Sequence, residues 1–355
     1  EAVNRIRHWV ESLQIDCDYQ RQSAFAYACS ADARQAIERE AEAAHCLGFA
    51  ARVLDRAPLP FETTGALEFP DQAQFNPASY LVGLASAVKA RGGQIHQQTR
   101  ALSFERNERW QVGFDGGAIK ADQVIIATHL PVETPIDLVS PTQPRCHVAI
   151  AFRPQEGTSL EGMFIAVEEP THSIRMGRDE QGPLLLVLGP RFNTGQDGDV
   201  AKRFVDLEQW ARSNLPVGEA VWRWCNEDYD TADRMAYVGE ADPEQAPGLF
   251  IATGFNAWGI SNGTAAGLGI ARQIVTGRRP WKTLFDPRRP SPDDYNQGGE
   301  SQSQVDELEA IGPGEGGVIT RGDEQIAVWR DDSGALHGVS AACTHMGCSV
   351  TWNNA

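Results

Sequence analysis

The run Cys343-Thr344-His345-Met346-Gly347-Cys348 sets a thiol, an imidazole and a second thiol in one short loop. Thiolate sulfur and imidazole nitrogen are the donors that zinc and iron–sulfur clusters take, and such a centre needs about four protein ligands. The stretch "CTHMGCSVTWNNA" supplies fewer. By residue type it reads as half of an iron–sulfur box, as a zinc knuckle without its partners, or as two free thiols beside a surface histidine.

A second stretch, "FIATGFNAWGISNGTAAGLGIA", runs from Phe250 to Ala271. An apolar strand delivers the chain to Gly254, and Gly259 and Gly263 let backbone approach a flat ligand. Ser261 or Asn262 is placed to cap the helix that follows, whose free N–H groups and positive dipole end point back at the turn. Such an end suits the pyrimidine edge of a flavin, which gains negative charge on reduction. An ordinary α/β turn with small-residue packing is the alternative that residue types leave open.

The elements around these stretches change character along the chain. Val3, Ile6, Trp9, Val10 and Leu13 have helical spacing, and "DARQAIEREAEAAHCLGFAARVL" reads as a second helix. In "NPASYLVGLASAVKARGG", Asn76 caps, Pro77 takes the first position, and Leu81, Leu84, Ala85 and Val88 form the expected apolar stripe before Gly92 and Gly93. "QIHQQT" and "WQVGFD" read as strands, and Val124-Ile125-Ile126-Ala127 as a strand buried on both faces. From about Arg145 to Arg191, short strands broken by Gly, Pro and charge predict an antiparallel sheet. "DVAKRFVDLEQWARSNLP" predicts an amphipathic helix. The α/β pattern then returns, so the 124–128 strand and the strand ending at Thr253 are expected in one sheet. "DPRRPSPDDYNQGGESQSQ" has linker composition, and strands with a turn near Asp332-Ser333-Gly334 follow it.

On these residues a resemblance can be stated. "GLFIATGFNAWGISNGTAAGLGIARQIVTG", "DYDTADRMAYVG", "NPASYLVGLASAVKARGGQIHQQTRALSFE" and "ADQVIIATHLP" resemble, in order, segments of the glycine/D-amino-acid oxidase-like (DAO) family of FAD-dependent oxidoreductases, across roughly residues 60 to 290. The resemblance implies an α/β (α+β) FAD-binding fold with an antiparallel-sheet substrate domain. It implies that the Arg100 backbone lies near the adenine, Thr128 near the cofactor, and Gly254, Trp258, Gly259, Ile260 and Ser261 near the isoalloxazine. Tyr237 falls at the substrate face or, equally, in the core as a sheet aromatic. The histidines outside the Cys343–Cys348 run show no ligand spacing and read as surface or satisfied core residues, of which His129 and His147 could lie near the cofactor.

The family's opening strand, G-x-G-x-x-G turn and helix, about 30 residues that hold the FAD pyrophosphate, has no counterpart before Pro60. It is expected to lie before Glu1. "GPGEGG" at Gly312 matches the pattern but follows polar sequence, contains Pro313 and leads into strand-like residues. It is rejected as a phosphate loop.

The end of the chain resembles the approach and first ligand box of Rieske 2Fe–2S domains. That resemblance makes Cys343 and His345 ligands to the two irons, and Cys348 a loop brace through a disulfide with a cysteine of the second box. The second box is expected beyond Ala355. The implied domains are an oxidoreductase region over 1–290, with 1–70 and 141–245 mainly substrate domain and 71–140 and 246–280 mainly FAD domain. A linker over 287–304 and a partial all-β Rieske domain over 305–355 follow.

The formal net charge of −17 in 355 residues disfavours nucleic acid and anionic membranes as partners, and no apolar run is long enough for a span. The odd, scattered set of 7 cysteines fits a reducing cytoplasm rather than a disulfide framework. No G-x-S-x-G, P-loop or zincin motif occurs. Arg175 and Arg191 sit in the expected substrate sheet, where each could pair with a substrate carboxylate or be ordinary surface charge; Trp222 and Trp224 read as core. The function expected is oxidation of a small amine or amino acid by FAD, with electrons relayed through the Rieske 2Fe–2S centre to an acceptor protein. The rival is a non-catalytic flavin/iron–sulfur electron-transfer or redox-sensing module.

Overall fold

The computed structural model describes residues 2–130, 136–138, 142–195, 199–279, 284–289, 305–322, 324–331 and 333–341. In chain order the elements are α1 (Ala2–Ser12), β1 (Gln20–Ala28), α2 (Ala31–Cys46), β2 (Arg52–Leu54), β3 (Gly65–Gln74), α3 (Pro77–Ala90), β4 (Ala101–Arg106), β5 (Trp110–Phe114), β6 (Gly117–Ala121) and β7 (Val124–Ile126). Then come β8 (Thr142–Pro154), β9 (Met163–Ala166), β10 (Ser173–Asp179), β11 (Gly182–Leu188), β12 (Phe192–Asn193), α4 (Val200–Asn214), β13 (Val217–Thr231), β14 (Tyr237–Asp242), β15 (Ala246–Thr253) and α5 (Gly259–Thr276). Strands β16 (Gly316–Arg321), β17 (Glu324–Arg330) and β18 (Leu336–Ser340) complete the described chain.

A nine-stranded sheet runs β12-β8-β11-β10-β9-β1-β3-β2, with β13 also on β8. Its core face carries Phe25, Tyr27, Val148, Ile150, Phe152, Phe164, Ile174, Leu185 and Val187 against Val200, Leu207 and Ala211 of α4. Each large side chain fully buried there contributes about 1.5–3 kcal/mol. A second sheet, β14-β15-β7, brings together strands more than a hundred residues apart. Leu249, Phe250 and Ile251 pair in parallel with Val124, Ile125 and Ile126, as the recurrence of the buried-strand pattern implied. Helix α5 packs Ala266 and Ile270 on Phe250 and Ala252 of this sheet.

Local signals account for several elements. Asn76 accepts from the N–H groups of Ala78 and Ser79 (3.0 and 3.2 Å), and Pro77 opens α3. Other expectations fail for packing reasons. Helix α3 buries Tyr80 rather than the expected stripe, and Leu81 and Val88 are exposed. Helix α2 stops at Cys46, where Gly48 turns left-handed (φ 77°) and Arg52–Leu54 leaves to pair with β3. "QIHQQT" forms no strand; Ile95, its one large apolar residue, is exposed. Strand β7 is covered on one face only, with Val124 and Ile126 buried and Ile125 half exposed. Among the described residues β7 lies at the edge of its sheet.

Strands β16–β18 form a small antiparallel sheet. Asp331 builds its turn by accepting from Ser333 and Ala335 N–H groups (both 2.9 Å), while Gly334 takes a left-handed φ of 88°. The Gly312–Gly317 run enters strand β16 and not a helix, which agrees with its rejection as a phosphate loop.

Candidate functional site

Three chain segments meet where the nine-stranded sheet abuts the Gly-rich turn. They are the end of β13, the residues after β7, and the link from β15 to α5. Gly254 is left-handed (φ 68°), and a Cβ there would stand 2.5 Å from Thr231 Cγ2, so glycine is required. Asn256 and Ala257 are left-handed too (φ 52° and 65°), a conformation Asn tolerates better than most residues. The Asn256 side chain is buried and fixes the turn. Its Oδ1 accepts from the Thr231 N–H (2.8 Å), and its Nδ2 donates to the Gly254 carbonyl (2.7 Å). Its own N–H donates to the Tyr229 carbonyl (3.3 Å). Only the four-residue run "GFNA" hinted at this role, and sequence reasoning passed over it.

Removing this clamp leaves the Thr231 N–H without its acceptor in a buried site. Asn256→Ala should therefore lower stability by about 2–4 kcal/mol. Urea denaturation checks this; a loss under 1 kcal/mol would mean the turn holds itself.

Helix α5 starts at Gly259, two residues earlier than the expected cap at Ser261. Trp258 is its N-cap residue and makes no side-chain capping bond. Ser261 instead donates to the Trp258 carbonyl (3.2 Å), and Asn262 to the Phe255 carbonyl (3.2 Å). Among the described residues, the first-turn N–H groups thus meet no side-chain acceptor at the positive end of the helix. A Cβ at Gly259 would meet nothing within 4 Å, while Trp258 and Ile260 beside it are exposed. An uncapped helix end, an open glycine surface and flanking apolar side chains fit a flat ring system that carries negative charge when reduced.

The residues after β7 are stitched to the same turn. Thr253 donates its hydroxyl to the His129 carbonyl, and Thr128 donates to the Leu130 carbonyl (2.9 Å). His129 is left-handed (φ 68°), and its Nε2 donates to the Glu227 carbonyl (3.1 Å), since a carbonyl can only accept. In the neutral ring Nδ1 then carries the lone pair. The imidazole meets Tyr229 edge-on at 4.8 Å and lies 4.0 Å from Asp228, which is buried. Burial, then Arg191, pushes the His147 pKa down, with Asp228 and Asp230 opposing.

Tyr237 is buried (1% exposed) among Trp110, Ile126, Leu249 and Ile251, under the Arg289 guanidinium at 3.9 Å. Its packing is that of the sheet aromatic. Arg100 precedes β4 and is exposed. Arg191 is held by Asp230 through two bonds (2.8 and 3.0 Å), which occupies the charge considered for a substrate. Trp222 and Trp224 are not core: both are exposed. Cys343, His345 and Cys348 lie outside the described residues. The described approach to them ends at Ala341, fully buried, whose N–H donates to the Gln325 carbonyl (2.8 Å). Thiolate and imidazole remain the donor types a 2Fe–2S centre takes.

Comparison with known proteins bears on both halves. The model of the family described as FAD dependent oxidoreductase (DAO) matches residues 1–273, and that described as Rieske [2Fe-2S] domain matches residues 302–355. The protein YhfW of Bacillus subtilis (strain 168), provisionally named a Rieske 2Fe-2S iron-sulfur protein, is 29% identical over 370 residues, spanning 99% of this chain and 72% of its own length. Glycine oxidase from Geobacillus kaustophilus superimposes with a TM-score of 0.67 at 20% identity, covering 80% of this chain and 79% of that one. L-Proline dehydrogenase from P. horikoshii gives 0.65 at 17%, covering 81% and 80%. At these identities the two structures establish the fold. No helix among the described residues is long and apolar enough to cross a membrane. The cofactors of the two domain types are FAD and a 2Fe–2S cluster. The chain therefore belongs to the FAD dependent oxidoreductase family and carries a Rieske 2Fe–2S domain behind that region.

Proposed function

We propose that the protein oxidises a small amine or amino acid at the junction of the nine-stranded sheet and the Gly254–Ser261 turn. The observation that carries this reading is the uncapped N-terminus of α5, held in place by Asn256 and lined by open glycine surface. FAD, when bound, supplies the acceptor for hydride leaving the substrate carbon next to nitrogen, and water then hydrolyses the resulting imine. The chain's part is placement and charge. Gly254, Trp258, Gly259, Ile260 and Ser261 line the ring site, Thr128 borders it, and the Arg100 backbone serves the adenine end. First-turn N–H groups of α5 stabilise negative charge at the ring edge. Residues 1–70 and 141–245 form the substrate half, and 71–140 and 246–280 the cofactor half.

Cys343 and His345 are assigned as iron ligands within 305–355, and Cys348 as the brace of their loop, with 287–304 joining the two parts. A 2Fe–2S centre supplies one-electron chemistry, which suits transfer to an acceptor protein in place of oxygen. Anaerobic mixing of the FAD-loaded protein with a panel of amines and amino acids tests the reading. Bleaching of oxidised flavin by one of them is expected. Flavin reduced only by a partner protein would favour an electron-transfer module with no substrate of its own.

A further inference from the structure

His129 stands where the residues after β7 meet the end of β13 and the Gly-rich turn, and it is held there from several sides. Its backbone is left-handed (φ 68°), which is uncommon without glycine and persists where surrounding bonds over-determine it. The Thr253 hydroxyl donates to its carbonyl, its Nε2 donates to the Glu227 carbonyl (3.1 Å), and the Tyr229 ring meets the imidazole edge-on at 4.8 Å. With the proton of the neutral ring on Nε2, the lone pair sits on Nδ1. Nδ1 takes no hydrogen bond among the described residues, and the side chain is half exposed.

Asp228 stands beside this imidazole and is 8% exposed. Its Oδ1 accepts from the Tyr229 N–H (2.8 Å) and lies 4.0 Å from His129 Nε2; its other oxygen takes no hydrogen bond among the described residues. The arginines nearby serve another carboxylate. Arg145, opposite Asp228 on β8, lies 3.9 Å from Asp230, and Arg191 is bonded to Asp230. The remaining titratable groups around the pair are His147 on β8, which feels Asp228 and Asp230, and Glu227, whose carboxylate accepts from the Tyr229 hydroxyl. Among the described residues His129 is the only basic group within 4.0 Å of Asp228. A largely buried carboxylate without a bonded cation is costly unless positive charge forms beside it.

Resting on the function proposed above, we infer that His129 is the proton acceptor for the substrate, taking a proton from its ammonium nitrogen at Nδ1. The N–H bond breaks, its electron pair stays on nitrogen, and the proton bonds to Nδ1. The freed pair is the one that forms the C=N bond as hydride leaves the adjacent carbon. Asp228 then faces an imidazolium, and the Glu227 carbonyl keeps the ring in the tautomer that the step needs.

Anaerobic bleaching of the FAD-loaded protein, followed across pH with glycine, N-methylglycine and benzylamine as probes, tests this. His129→Gln keeps a donor for the Glu227 carbonyl but has no base. At neutral pH its bleaching should be slower by about 100-fold or more, and the gap should close above the amine's own pKa, where the substrate arrives neutral. Imidazole in solution should return part of the neutral-pH rate to His129→Ala. Asp228→Asn should slow the step by less than His129→Gln does. Nitrogen NMR of the wild type, with His129→Gln assigning the signal, should show the neutral ring protonated on Nε2. A His129→Gln defect that is equal at every pH, or no defect, overturns the inference, as does a neutral ring protonated on Nδ1. Failure of the function reading would show differently: none of the probes would bleach the wild type, and the proton acceptor would fall with it.

Discussion

Gly254→Val should lower the stability of the FAD-loaded protein by about 2–6 kcal/mol, through strain and overpacking together. A branched side chain at φ 68° is strained in itself, and its Cβ would press on Thr231 at 2.5 Å. Thr231 cannot retreat, because it is fully buried and its N–H is bonded to Asn256. Gly259→Ala is the matched contrast. A Cβ there meets nothing within 4 Å, so the fold should hold to within about 1 kcal/mol. Its methyl would stand on the surface assigned to the flavin ring, so FAD affinity should fall. Chemical denaturation and flavin fluorescence titration separate the two effects. If Gly259→Ala binds FAD as tightly as the wild type, the ring does not lie against this glycine.

Arg289→Met should cost about 3–5 kcal/mol, because it takes the only counter-charge bonded to it among the described residues from a largely buried carboxylate, which keeps only its neutral donors. Arg289 donates to both oxygens of Asp233 (2.6 and 2.9 Å) and to the Ala236 carbonyl (2.9 Å), with its plane over the Tyr237 ring. Its side chain is 9% exposed and that of Asp233 22%, so solvent screens the pair weakly. Burial works to raise the Asp233 pKa, but its bonds to Arg289, Met235 and Thr231 prevail and hold it below the ordinary value. A depressed carboxyl contributes its full stability above the unfolded value, near 4, and loses it as pH falls through the folded value. The gap between wild type and Arg289→Met should thus be widest near neutrality and close at more acidic pH. Adding Asp233→Asn should recover much of the loss. A gap that does not change with pH would mean the cost comes from packing on Tyr237 alone.

The parts of this structure that sequence made legible are those set by neighbours in the chain. Asn76 and Pro77 announce α3, and the apolar run to Gly254 announces a strand, a turn and a helix. Pairing of β7 with β15 could be expected because both runs are continuously apolar. What stayed hidden depends on partners remote in sequence. Arg289 sits in a stretch of linker composition, yet it closes over Tyr237 and binds Asp233. The exposed Trp222 and Trp224 follow from the face that β13 presents, which composition does not report. The start of α5 was misplaced because Ser261, a good capping residue by type, lies inside the first turn and bonds backward to Trp258. Arg175 and Arg191 were alike on paper; Asp230 beside one and an apolar row beside the other tell them apart.

In the proposed function the N-terminus of α5, which has no side-chain cap among the described residues, faces the edge of the flavin ring that gains charge on reduction. The flavin midpoint potential of the FAD-loaded protein, measured against that of Ser261→Asp, tests it most directly. A carboxylate in the first turn opposes negative charge on the ring and should lower the potential by on the order of 10–50 mV, as follows from helix-end energies near 1 kcal/mol and a two-electron couple. An identical potential in a variant that still binds FAD would contradict the placement of the flavin at this helix.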